Sequence, residues 1–222
     1  MNTLTLKRPA ILSVGHTQRP ESFQLKQLVI IILIAGAIYG CAMGTYTAST
    51  SIRPLQMLYS AAKVPLLLLI SFTLTLPASF VFNTLFGLRD DWPAVLRSLL
   101  VTQAVIAVVL AALSPYTLLC YASTGNYAVA QLFNLLMFTA ASLTGQAVLR
   151  RCYGPMIRKR PAHRYVMWSW LAVYAFVGVQ MGWVLRPFIG SPSGPTQFFR
   201  DEPFSNAYVV IVRIIWKVMN GS

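Results

Sequence analysis

RRCYGPMIRKRPAHR, from Arg150 to Arg164, decides how the chain is read. It carries Arg150, Arg151, Arg158, Lys159, Arg160 and Arg164 and no acidic residue. Long apolar runs flank it on both sides. Lys and Arg in short segments between apolar spans are retained on the cytoplasmic side of a bilayer. The stretch therefore reads as a loop that sets the topology of a membrane protein.

Working outward, five segments are long enough to cross a hydrocarbon core, which takes about 20 mostly apolar residues in a helix. They are Leu28–Ala48, Val64–Leu88, Leu99–Cys120, Tyr127–Leu149 and Tyr165–Leu185. Pro77, near the middle of the second, predicts a kink; membrane helices tolerate proline where neighbours satisfy the freed carbonyl. The fold class that follows is all-α, a polytopic transmembrane helix bundle of five spans. Residues 1–27 read as a polar cytoplasmic tail, 28–185 as the bundle, 186–206 as an outer loop and 207–222 as a short amphipathic helix. In that last run Arg213 and Lys217, four apart, share one helix face, as in a helix lying at the interface. A short tilted sixth span is the competing reading.

Composition agrees. The chain is 56% hydrophobic and 10% charged, with a mean hydropathy of +0.62. Soluble domains carry about 25% charged residues. The net charge of +13 is not arranged as a nucleic-acid footprint, because the cations lie between spans and form no basic face. Anionic lipid headgroups are the expected counterions. With the amino terminus inside, Lys7, Arg8, Arg19, Lys26, Arg89, Arg97 and the cations of the opening stretch fall on one side. Only Arg53, Lys63, Arg186 and Arg200 precede the terminal run on the other, which favours a cytoplasmic amino terminus.

Several chemistries find no support. No span holds an ionisable residue in its middle, where ion-coupled transporters and proton pumps place them. His16 and His163 both fall outside the spans, so no haem-ligating pair lies within the bilayer. There is no HExxH, GxSxG, P-loop or dinucleotide fingerprint. Cys41, Cys120 and Cys152 are widely spaced, with neither a zinc pattern nor a disulfide framework. Asp90 and Asp91 read as a solvated turn beside Arg89. No catalytic residue, metal or cofactor is expected.

Three features carry what function the sequence suggests. Gly36, Gly40 and Gly44 form one glycine face in the first span, and Gly178 and Gly182 another in the fifth. Such faces let two helix backbones approach closely, within one bundle (first span against fifth) or between protomers. Uncharged polar groups dot the spans, among them Ser71, Asn83, Gln103, Gln131, Asn134, Ser142 and Gln146. They read as interhelical hydrogen-bonding groups, or as the lining of a cavity between the second and fourth spans. Finally, Leu185–Asn206 is rich in Pro and Gly yet keeps Phe188, Phe198 and Phe199, with Arg186 and Arg200 beside them. Exposed aromatic patches are covered or functional, so these five residues are candidate contacts for lipid or a partner.

Two stretches resemble a known family. AAKVPLLLLISFTLTLPASFVFNTLFG (Ala61–Gly87) and VGVQMGWVLRPFIGSP (Val177–Pro192) resemble bacterial Yip1-like membrane proteins. The resemblance implies a multi-pass protein of the bacterial inner membrane and brings no catalytic residue. The DLYGP motif of eukaryotic Yip1 proteins is absent before the first span, and CYGP at Cys152–Pro155 lies elsewhere. The expected activity is a non-enzymatic scaffold or adaptor that self-associates or holds a membrane-protein partner. A transport component is the alternative.

Overall fold

The structure, a computed structural model, describes residues 21–46, 54–190 and 198–199. Five helices account for most of them: α1 (Glu21–Gly44), α2 (Pro54–Leu85), α3 (Trp92–Ser123), α4 (Tyr127–Lys159) and α5 (His163–Val184). All five are long and apolar enough to cross a membrane. The protein is therefore an all-α, multi-pass membrane protein. The tail before residue 21, Arg200 and the run 207–219 lie outside the described residues.

The helices overrun the apolar segments. α4 has 33 residues, about 50 Å at 1.5 Å per residue, against a hydrocarbon core of about 30 Å. Its surplus is the opening stretch. Arg150–Lys159 is not a loop but the end of α4, and only Arg160–Ala162 separates it from α5. Arg, Lys and Met are good helix formers, and Arg158 and Lys159 complement the helix dipole at its C-terminus. Hydropathy alone ends a span where polarity begins, whereas a helix ends where capping and packing end it. Likewise α2 begins at Pro54, so Lys63, expected in a loop, is helical. Proline at a helix start lacks only an N–H that would be unpaired anyway. α2 then runs on through Pro65 and Pro77 as one helix.

The ends are set by local chemistry. Gly87, at φ 66°, closes α2: Leu88 N donates to Asn83 O at 2.8 Å and Gly87 N to Thr84 O at 3.0 Å. This double bond pattern needs a left-handed residue, which glycine adopts without strain. Asn126 caps α4 by accepting from Ala128 N at 2.9 Å, pairing one of the orphan donors of the first turn.

Packing divides the bundle into a centre and two arms. α1 lies against α2 and α3; α4 leans on α3 and α5 on α2. The three glycines of α1 press on α2. A Cβ on Gly36 would come within 3.1 Å of Pro65, one on Gly44 within 2.5 Å of Met57 Cα, and one on Gly40 would land on the Ser60–Ala61 backbone. The glycine face of the first span is therefore spent on the second, not on the fifth. Two helices touching at backbone distance gain dispersion contacts along their length. Asn134 adds a polar knot: it accepts from Tyr39 OH at 3.0 Å and donates to Tyr121 OH and Ala130 O, tying α4 to α1 and α3.

Candidate functional site

α4 and α5 are joined by a three-residue turn, yet they contact each other little along their lengths. Each leans on a different partner, so they diverge from the arginine-rich end. The wedge between them is a groove of about 810 Å³. Met43 of α1, Leu68 and Ser71 of α2 and Ile106 of α3 form its floor. The α4 wall presents Gln131, Thr139, Ser142 and Gln146, with Asn134 behind them. These positions lie within a run of 16 residues, about 22 Å of helix rise from first to last, which is most of the apolar thickness of a bilayer. The α5 wall presents Tyr174, Gly178 and Gly182. Leu135, Leu143 and Val179 stand exposed along its lips, so the groove opens sideways, toward where lipid would be.

Gly178 and Gly182 differ sharply from the glycines of α1. A Cβ built on either meets nothing within 4 Å among the described residues. Their bare face looks into the groove. Ser71, on the floor, is 1% exposed, and its Oγ has no hydrogen-bond partner among the described residues.

The end of the groove away from the arginines is closed by Arg186, Pro187, Phe188 and Ile189. This segment is not helical, so its carbonyls need donors from elsewhere. α2 supplies them from one face, at Gln56, Ser60 and Lys63. Ser60 Oγ and Gln56 Nε2 donate to Phe188 O, and Lys63 Nζ donates to Pro187 O at 2.7 Å. Tyr127 OH reaches Ile189 O at 3.4 Å. Lys63 is fully buried, and its ammonium sits 4.9 Å from the Phe198 ring centre. Phe198 also packs edge-on against Tyr59. Arg186 lies over Trp183, 3.3 Å from the ring centre, a favourable cation–π geometry.

At the arginine-rich end, Asp91 joins the two short turns. Its carboxylate lies 3.0 Å from His163 Nε2 and 4.0 Å from Arg160. Arg160 also donates to Gly87 O at 3.3 Å. Asp91 is thus not merely a solvated turn, and His163 is no loop residue: it opens α5 and is 1% exposed. Arg150 lies 5.2 Å from the Trp168 ring centre.

The sequence-predicted residues therefore separate. Gly36, Gly40 and Gly44 are internal. Gly178, Gly182, Arg186 and Phe188 meet at the groove. Phe198 packs on the Lys63 face, Phe199 is exposed, and Arg200 lies outside the described residues. Of the pair Asn83 and Asn134, only Asn134 borders the groove. Lys63 escaped the sequence reading. The signal was present, since Gln56, Ser60 and Lys63 are spaced as one helix face. No sequence signal links Asp91 to His163, because their approach follows from helix packing.

Comparison of the chain with family models, curated proteins and solved structures gives no match to any of them.

Proposed function

We propose that the protein is a non-enzymatic membrane scaffold that holds a transmembrane helix of a partner protein in the groove between α4 and α5. One observation carries the reading: Gly178 and Gly182 are bare, side by side, and aimed into a long open groove. A glycine face favours close approach of another helix backbone. The opposite wall selects among occupants. Gln131, Ser142 and Gln146 want hydrogen bonds, which an acyl chain cannot give and which cost free energy if unmet in an apolar setting; the Thr139 hydroxyl already donates to Leu135 O at 2.8 Å. A water-filled channel would instead wet Leu135, Leu143 and Val179. A helix with small and hydroxyl-bearing residues on one face, apolar elsewhere, suits both walls.

The transport alternative is the weaker one. The groove does lie between the second and fourth spans, but it opens sideways and does not take in Asn83. The proposal also includes a cytoplasmic amino terminus, supported by the Lys and Arg distribution, and a bacterial inner membrane, supported by the Yip1-like resemblance alone. Purification in mild detergent tests the scaffold. Gly178→Leu should abolish co-purification of a membrane protein that the unmodified chain retains, while the variant stays folded. Retention of the same protein by the variant overturns the proposal.

A further inference from the structure

The two walls of the groove continue past it toward the arginine-rich end, and both continue into cations. On α4, Ser142 and Gln146 line the groove, and Arg150 stands four residues beyond Gln146 on the same face. On α5, Gly182, Gly178 and Ala175 line it. Trp168 and Arg164 carry that face on, at seven and then four residues. Arg150, Arg164 and Trp168 are all exposed. The Arg150 guanidinium lies 5.2 Å from the Trp168 ring centre, so it bridges α4 to α5 where the walls converge. A guanidinium over a ring offers its donors at its edge, in the fork that matches a carboxylate.

Charge is one-sided along the groove. Between Arg89 and Arg164 the chain holds eight Lys and Arg and two acids, Asp90 and Asp91. They gather at the end where the α2–α3 and α4–α5 turns lie. Asp91 is already engaged by His163 and Arg160. At the far end the groove is lined by one cation, Arg186, which lies over Trp183.

A helix held against Gly178 and Gly182 has to pass over Arg150 as it leaves the narrowing wedge. Membrane helices ordinarily carry Lys and Arg in their cytoplasmic flanks. In the orientation proposed above, such a flank would meet Arg150 and Arg164 with like charge. Like-charge juxtaposition is a means by which interfaces reject wrong partners.

We infer that the groove selects its occupant by charge: it takes a membrane helix whose flank at the arginine-rich end is acidic, pairs that flank with Arg150 and Arg164, and rejects helices with the usual basic flank there. The selectivity rests on the helix-holding reading above and adds the partner's charge to it.

The test uses the full chain with a photo-crosslinking side chain at Val179, in phosphatidylcholine vesicles. The probe is a synthetic helix of about 20 Leu and Ala residues, enough to span, with Gly and Ser along one face. One version ends in a pair of Glu, the other in a pair of Lys; the opposite end is uncharged in both. The Glu version should give about fivefold more adduct, the scale of an exposed ion pair, and high salt should shrink the difference. Arg150→Lys should keep the preference. Arg150→Glu combined with Arg164→Glu should reverse it. Equal adducts from the two versions, both lost with Gly178→Leu, overturn this inference and leave the helix-holding reading standing. So does a preference for Glu that the double charge reversal leaves unaltered. No adduct from either version, or adducts that Gly178→Leu leaves in place, overturn the helix-holding reading and this inference with it.

Discussion

Lys63 Nζ donates to the carbonyl of Pro187 across 2.7 Å, and this bond joins the first turns of α2 to the segment that follows α5. The ammonium is fully buried and has no carboxylate partner among the described residues. A peptide carbonyl and an aromatic face take that place. Through this contact the end of the groove is attached to the best-packed pair of helices.

Lys63→Ala removes the donor and leaves the Pro187 carbonyl facing apolar side chains. The expected cost is about 1–3 kcal/mol. It should appear as a lower melting temperature in detergent, with faster proteolysis near Arg186–Ile189. Unchanged melting and proteolysis would show that the bond contributes nothing to holding the segment.

Glycines on the two faces should respond in opposite ways. At Gly40 a side chain would collide with the α2 backbone, which cannot move aside as a flexible side chain can. Gly40→Ile should therefore cost about 3 kcal/mol, the upper end of overpacking, or more. Gly178→Leu meets open space and should leave melting within about 0.5 kcal/mol of the unmodified chain, as for a surface change. Equal losses for the two would contradict the assignment of one face to the interior and the other to the groove.

Asn134→Leu removes hydrogen bonds that tie α4 to Tyr39 of α1 and Tyr121 of α3. Interhelical hydrogen bonds in membranes are worth about 0.6 kcal/mol each. The buried Tyr39 hydroxyl keeps only its contact with Thr117. A loss of about 1–2 kcal/mol is expected, measured by unfolding in mixed micelles; a neutral or stabilising effect would mean the knot is not formed.

Asp91→Ala separates the two turns at the arginine-rich end. The contact with Arg160 is exposed on both sides and contributes about 0–1 kcal/mol, but the substitution also takes the partner from Nε2 of the buried His163, at about 1–3 kcal/mol. Melting should fall by about as much as it does for Asn134→Leu. A larger fall would place the main joint of the bundle at this end.

Much of the fold was legible because a bilayer imposes it. Each span needs about 20 apolar residues, and residues 28–185 supply five such runs. Helix ends were not legible in the same way. Arg150–Lys159 looks like a loop to any hydropathy reading, yet the backbone gains one hydrogen bond per residue by staying helical after it leaves the apolar zone. The glycine motifs were legible as faces but not as partners. Gly36, Gly40 and Gly44 carry the same spacing as Gly178 and Gly182, and only the packing of α1 on α2 tells an occupied face from an open one. The groove had a partial signal in Gln131, Ser142 and Gln146. Its existence depends on α4 and α5 leaning on different neighbours, which no local pattern encodes.

Occupancy of the groove is tested most directly by a photo-crosslinking side chain placed at Val179, on the lip beside Gly178, in intact membranes. The account predicts an adduct with an apolar, small-residue segment of one membrane protein, and loss of that adduct when Gly178→Leu is added. Adducts with lipid alone, or a protein adduct that Gly178→Leu leaves in place, would contradict it.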